Sequence, residues 1–406
     1  MRYFLALALI MSLLACENEP VSFNYRIEGP MRATLLVDSK SGERLPFLLK
    51  PGSQMDSIAV VNGKEQLWVP LKQKGDSLFI TLTPYPSEIK ARWKGNSLEG
   101  YWYNYNKGPD YRIPFEATPV DPELTKSKDY GFDLAERYEV WFEDEEDKWP
   151  AIAELGQEQN QVFGTFRTET GDYRYLDGQL HKDGQLTLAC FDGAHAFLFK
   201  AELNNSGQLA NGVFYSGNHY QAQWQGTPNA SFQLTDPDSL SALLPDFSAA
   251  DFEIRLPNGR TLSYGDSLLQ NQATLIQILG TWCPNCRDET EYLKTVNERY
   301  ANRGLRILAF SFEATRDTDL AEKRISDYRE QMEVPYPMFH AGFANKKKAT
   351  EVFPMLDRFL SYPTLIYLDR EMNVRKIHTG FNGPATSEYT SFVNQSDQLI
   401  EQLLIE

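Results

Sequence analysis

Gly280-Thr281-Trp282-Cys283-Pro284-Asn285-Cys286-Arg287 joins an apolar run, Thr274 to Leu279, to a polar, helix-like run, Arg287 to Tyr300. Two cysteines separated by two residues at the start of a helix form a redox arrangement. The free amides and dipole of the helix N-terminus favour a thiolate on the first cysteine. The second, one turn on, lies close enough to close a small disulfide ring. Half of a zinc site is the competing reading, and it needs two more Cys or His ligands at short spacing. The remaining cysteines, Cys16 and Cys190, stand in no such pair. Redox chemistry is therefore expected, with no metal and no cofactor.

Outward from this stretch, strand-length apolar runs alternate with helix-length amphipathic segments. Leu275 to Leu279 reads as a strand and Arg287 to Tyr300 as a helix. Leu305 to Phe312 is the next strand and Asp319 to Met332 the next helix. Thr364 to Leu368 and Val374 to Thr379 read as a hairpin through Asp369 to Asn373, and Ser387 to Ile405 closes as a helix. The pattern is a βαβ unit followed by ββα, with the CxxC at the first strand-to-helix junction. Residues 233–245, rich in Asp, Pro, Ser and Leu, read as a linker ahead of an α/β domain over residues 246–406.

Residues 21–232 have a different texture. Short runs of alternating Tyr, Trp and Phe with polar residues are punctuated by turns such as Asn62-Gly63, Asp183-Gly184 and Asn211-Gly212. The region reads as all-β and as an internal duplication. Asp110 to Pro119 aligns with His219 to Pro228. Leu98-Glu99-Gly100-Tyr101-Trp102 aligns with Leu209 to Phe214, and Leu78-Phe79-Ile80 with Leu186-Thr187-Leu188. Two β units follow, residues 21–120 and 136–230, joined through Pro119 to Tyr130. They are expected either as two small sandwiches or as one larger barrel. Cys190 lies in the strand-like run Leu186 to Phe191 and is expected to be a buried, inert thiol. The acidic run Glu143-Asp144-Glu145-Glu146-Asp147 reads as a solvated hairpin loop, since contiguous carboxylates cannot all converge on one calcium ion.

The chain has 406 residues and a formal charge of −16. That charge argues against nucleic acid or an anionic membrane surface as a partner. Residues 1–15 read as a signal peptide, with Arg2 as the basic end and Phe4 to Leu14 as an apolar run too short to span a bilayer. Leu13-Leu14-Ala15-Cys16 resembles the lipobox of bacterial lipoproteins, in which the cysteine becomes the lipidated N-terminus. Residues 16–20 would then be the lipidated Cys16 and its tether. The resemblance implies a protein held to a membrane of the bacterial cell envelope by lipid, outside the cytoplasm.

Residues 244–406 resemble the thioredoxin superfamily, and within it the TlpA/ResA-like extracytoplasmic thiol–disulfide oxidoreductases. Leu244-Pro245-Asp246-Phe247 followed by Leu256-Pro257-Asn258-Gly259-Arg260 is similar to that family's lead-in strand and hairpin. The CxxC matches its active-site motif, Ser361-Tyr362-Pro363-Thr364 its cis-proline loop, and Gly380 the glycine ending its last strand. The resemblance implies a Cys283–Cys286 disulfide, with Cys283 as nucleophile and Cys286 as the more buried resolving thiol. It implies that Trp282, Tyr362, Pro363 and Thr364 border the substrate, and that the partners are a protein disulfide substrate and an upstream thiol reductant. Where thioredoxin has a buried Asp, this chain has Gln277, which exchanges no proton. The ResA-like branch uses a Glu three residues after the second cysteine, and here that is Glu289. The Cys286-to-Glu289 spacing puts both on one helix face; a solvated Glu, like Glu291 nearby, is the alternative.

Two other readings remain. The β region could bind a ligand or partner, with the redox domain as an accessory. The lead-in is also similar to that of peroxiredoxins, but their Thr three residues before the reactive cysteine is Gly280 here. His340 and His378 show no pairing with Cys283, and residues 345–353 read as a helical insertion of the active-site rim or a solvated helix.

Overall fold

Alternation of apolar and polar residues builds the first strand and sets its face: in β1 (Met31–Asp38), Met31, Ala33, Leu35 and Val37 are buried and the residues between them are not. Seven more strands follow, most with the same alternation: β2 (Glu43–Pro51), β3 (Ser57–Asn62), which buries Ile58, Ala59 and Val60 in a row, β4 (Glu65–Lys74), β5 (Ser77–Thr81), β6 (Ser87–Lys94), β7 (Ser97–Asn104) and β8 (Arg112–Pro119). Each pairs antiparallel with the next, and β8 returns to β1 with Leu35 opposite Phe115, closing a barrel. The computed structural model describes residues 26–54, 56–121, 127–247, 249–255, 261–263 and 271–406. The leader, Cys16 and its tether, and Leu256 to Arg260 lie outside the described residues.

A second set of strands follows: β9 (Arg137–Glu143), β10 (Lys148–Glu158), β11 (Gln161–Thr168), β12 (Gly171–Asp172), β13 (Leu176–Leu180), β14 (Gln185–Phe191), β15 (Ala196–Leu203), β16 (Leu209–Ser216) and β17 (Tyr220–Pro228). β17 pairs with β9 and β10 with both β9 and β11, so this ring closes too, with β12 as a two-residue stub on β11. Setting β12 aside, β14, β16 and β17 are the fifth, seventh and eighth strands of their barrel. Those are the places of β5, β7 and β8 in the first, and the three pairs of similar sequence fall on these strands. The β region is thus neither two sandwiches nor one larger barrel. Each repeat supplies eight strands, enough to close at a radius that side chains can fill.

Both interiors are filled. Leu35, Leu78, Ile80, Ile89, Trp102 and Phe115 are among those packing the first, and Phe142, Phe166, Phe199, Phe214 and Trp224 among those packing the second. Cys190 is fully buried in the second core, where burial pushes its thiol pKa up. The barrels meet where Asn62 Nδ2 donates to the Phe191 carbonyl and Phe191 N–H donates back to Asn62 Oδ1, each at 3.0 Å. Phe191 also packs against Phe47 and Trp102 of the first barrel.

The C-terminal domain starts with a short hairpin, β18 (Glu253–Arg255) and β19 (Thr261–Ser263). Then come β20 (Ala273–Leu279), α1 (Pro284–Tyr300), β21 (Leu305–Glu313), α2 (Thr318–Gln331), β22 (Met338–Phe343), α3 (Lys346–Val352), β23 (Thr364–Leu368), β24 (Val374–Thr379) and α4 (Tyr389–Ile405). The sheet order is β22-β21-β20-β23-β24, with β20, β21 and β22 parallel and β23 and β24 antiparallel to their neighbours. Every residue of the central strand β20 is buried, because helices cover both faces of the sheet. This is a thioredoxin-like α/β domain. β22 is absent from the βαβ–ββα expectation: it is a short edge strand, mostly half-buried, with a register shift at Ala341. Residues 233–245 do not run free. Asp238 bonds His378 Nδ1 and pairs with Lys376 Nζ, both at 2.7 Å, fastening this stretch along β24. Among the described residues no helix is long and apolar enough to cross a membrane.

Candidate active site

The head of α1 carries the two cysteines. Cys283 is the N-cap residue and Pro284 opens the helix, where its missing N–H is no loss. Cys283 and Cys286 are disulfide-bonded with their Cα atoms 5.2 Å apart, and the Cys286 N–H donates to Cys283 Sγ at 3.2 Å. An amide and a helix N-terminus aimed at that sulfur are what would stabilise it as a thiolate once reduced. The two differ in access: Cys283 keeps 7% exposure and Cys286 none.

Three further stretches border Cys283. The Tyr362–Pro363 peptide is cis, and the Tyr362 carbonyl oxygen lies 3.6 Å from Cys283 Sγ. Thr364 Oγ1 donates to Ser361 O, and Gly380 N–H donates to Pro363 O at 2.9 Å, so the end of β24 fixes this loop. Trp282 packs edge-on against Tyr362, and its Nε1–H donates to Phe312 O at 2.9 Å. The indole leaves no room for a side chain at Gly280, where a Cβ would lie 2.3 Å from Trp282 Nε1. Sequence reasoning missed Glu313. This fully buried carboxylate ends β21 and accepts from Thr281 Oγ1 at 2.8 Å and Ser311 Oγ at 2.6 Å, anchoring the turn before Trp282. Its one sequence signal is a carboxylate closing the apolar run Leu305 to Phe312.

Beneath Cys286 lies a buried polar network. Glu289 is fully buried and accepts from Gln277 Nε2 at 3.0 Å. Burial pushes its pKa up to about 8, against a small lowering by the Gln277 bond. Gln277 Nε2 also lies 3.2 Å from Thr290 Oγ1, whose hydroxyl donates to Cys286 O at 2.8 Å. Glu289 is thus not a solvated helix residue. His378 pairs with Asp238 and His340 lies 3.8 Å from Glu322, both outside these cysteine contacts.

The second barrel reaches this site through the hairpin between β11 and β13, which no sequence signal announced. Ser361 Oγ donates to Thr170 O at 2.9 Å, and Asn285 Nδ2 to Asp172 O at 3.2 Å. Gly383 N–H donates to Asp172 Oδ2 at 2.6 Å; burial of this carboxylate raises its pKa to about 6. At Gly380, whose φ is +80°, a Cβ would sit 2.8 Å from Thr170. A glycine is required there both for the left-handed backbone and for the closeness of the barrel.

Comparison with known proteins gives the class of this domain. Residues 243–377 match the AhpC/TSA family. The thioredoxin-like protein YneN of Bacillus subtilis is 24% identical over 132 residues, which is 32% of this chain and 69% of that one. The thiol:disulfide interchange protein DsbE of Tatumella citrea is 31% identical over 94 residues, 23% of this chain and 48% of that one. The match therefore spans about half of the DsbE relative's length. A solved thiol:disulfide interchange protein of the thioredoxin family from Chlorobium tepidum is 19% identical, with a TM-score of 0.29 over 39% of this chain and 95% of that one. The C-terminal domain thus has a thioredoxin-like fold, and the relatives it matches are named as thioredoxin-like and thiol:disulfide interchange proteins.

Proposed function

We propose that the chain is a lipid-anchored thiol–disulfide oxidoreductase of the bacterial cell envelope that reduces protein disulfides through Cys283 and Cys286. The observation that carries this is the Cys286 N–H bond to Cys283 Sγ, opposite the Tyr362 carbonyl of the cis-proline loop. In the reduced protein, the Cys283 thiolate attacks one sulfur of a substrate disulfide. A mixed disulfide forms, and the other substrate sulfur leaves as a thiolate that takes a proton from water. Glu289, ionised, takes the proton of Cys286. The Cys286 thiolate then attacks Cys283 Sγ, releasing the second substrate thiolate and leaving the Cys283–Cys286 disulfide. A thiol reductant returns two electrons and two protons to the pair. Trp282, Tyr362, Pro363 and Thr364 border the substrate, and the backbone of this loop beside Cys283 pairs with an extended segment of it. No cofactor enters this cycle.

The relative named DsbE supports an envelope setting, and the lipobox at Cys16 supports the anchor. If the β region also binds a ligand or partner, its filled barrels place that role on their outer surfaces. The test is trapping. Cys286→Ser should accumulate mixed disulfides through Cys283 with envelope proteins, sensitive to dithiothreitol. A Cys286→Ser protein that captures nothing, while Cys283 stays reduced and accessible, contradicts the reading.

A further inference from the structure

Arg174 belongs to the second barrel, yet its side chain ends at the redox turn. It is 1% exposed. Its guanidinium is shared among three bodies. Nη2 pairs with Glu65 of the first barrel, and Nε lies 3.5 Å from Asp192 of the second, an ion pair rather than a hydrogen bond. Nη1 pairs with Asp288, one turn into α1, and donates to the Pro284 carbonyl at 3.3 Å. Pro284 is the residue after Cys283. The backbone of Arg174 is itself held in the left-handed region, φ +60°, where a long side chain is seldom found unless its surroundings impose it.

We propose that Arg174 is a positioning residue of the redox centre: it fixes the Pro284 carbonyl between the two cysteines and carries a buried positive charge to the head of α1. The proposal rests on Cys283 being that nucleophile. The grip does not act alone. Asp172, two residues earlier, takes Asn285 Nδ2 on its carbonyl and Gly383 N–H on its carboxylate, so the same hairpin holds both sides of the turn. The charges facing the guanidinium are Glu65, Asp192 and Asp288, with Arg287, Asp172 and Tyr85 close enough to act on the same cluster. With Arg174 in place, two arginines face three carboxylates and the ionisable Asp172. Without it, one arginine faces the same carboxylates, and the excess of negative charge opposing a thiolate at Cys283 grows. The barrels would thus be part of the redox device, tuning the thiolate through one guanidinium.

The test is the Cys283 pKa in the full, reduced chain, read by thiolate absorbance and by the pH dependence of iodoacetamide alkylation at Cys283. Arg174→Gln alone leaves buried carboxylates without a partner and risks unfolding. The working variant is Arg174→Gln with Glu65→Gln, which removes one charge of each sign. The net charge of the cluster is then unchanged, so the expected rise of about 1 in the Cys283 pKa reads the loss of the guanidinium's hold on Pro284 at the head of α1, with alkylation near neutral pH about three- to tenfold slower. Glu65→Gln alone should leave that pKa unchanged or lower it. Arg174→Lys keeps the charge on a flexible stem but loses the planar fork, and should lie between wild type and the double variant. If the double variant does not fold, Arg174→Lys carries the test. A folded double variant, or in its place a folded Arg174→Lys, with wild-type pKa and alkylation rate overturns the proposal and leaves Arg174 a purely structural joint. Alkylation needs no disulfide substrate, so a wild-type protein that reduces nothing would refute the functional reading and leave this readout intact.

Discussion

Gln277 Nε2 donates to Glu289 Oε2 at 3.0 Å, and neither residue has any exposure to water. The other carboxylate oxygen, Oε1, is buried without a hydrogen-bond partner. A neutral amide can steady the carboxylate but cannot take its proton. The proton capacity of this network therefore lies with Glu289, on the same helix face as Cys286.

Glu289→Gln should leave the first attack by Cys283 largely intact and slow resolution by Cys286 about a hundredfold or more. Glu289 accepts a proton only when ionised, and its pKa is about 8. Wild-type resolution should rise with pH through that value, and the variant should lose that ionisation from its pH–rate profile while keeping the rise from Cys286 itself. Stability carries the opposite trend. Between the ordinary carboxylate pKa and about 8, the folded protein holds a proton that the unfolded chain has released. Unfolding free energy from this group therefore falls as pH rises across that window. Stopped-flow kinetics and denaturant titrations of the oxidised protein at several pH values check both. A Glu289→Gln protein with wild-type kinetics from acid to alkaline pH removes Glu289 from the mechanism.

Gly380→Ala should loosen the joint between the second barrel and the cis-proline loop. The new Cβ meets Thr170 backbone at 2.8 Å, and the backbone φ is +80°. A cost of about 1–3 kcal/mol is expected. Gly29→Ala, where nothing lies within 4 Å, is the control. Urea unfolding of both variants measures the difference, and equal stability would contradict this account of the contact.

Cys190 should be silent in redox chemistry. It is fully buried and its thiol pKa is raised by that burial. Maleimide should label it only after denaturation, and Cys190→Ala should keep the Cys283–Cys286 potential of wild type. Fast labelling of the native protein at Cys190 would show that the second core opens.

Much of the C-terminal domain was legible because its signals are local. β20, α1, β21, β23, β24 and α4 each carry an unbroken apolar or amphipathic run. The duplication was legible too, since the similar segments fall on equivalent strands. Closure of the two barrels was not, because it depends on first and last strands meeting, as Leu35 meets Phe115. The same limit hid the second half of the site. Arg174 joins Glu65 and Asp288 across separations of 109 and 114 residues, so no window around any one of them contains the others. Glu289 stood between two readings because helical spacing gives its face, while its burial is made by residues of other elements.

The proposed anchor makes its own prediction. Cys16→Ser should block lipidation and move the protein from the membrane fraction to soluble or uncleaved fractions. Radiolabelled lipid incorporation and fractionation measure it. Normal membrane retention of a cleaved Cys16→Ser protein would contradict lipid attachment at that residue.

The most direct measurement is turnover. Protein lacking residues 1–16, supplied with a thiol reductant, should reduce a fluorogenic peptide disulfide. Cys283→Ser should abolish this reduction, and Cys286→Ser should stop after forming a mixed disulfide. Unchanged turnover in Cys283→Ser would contradict the account.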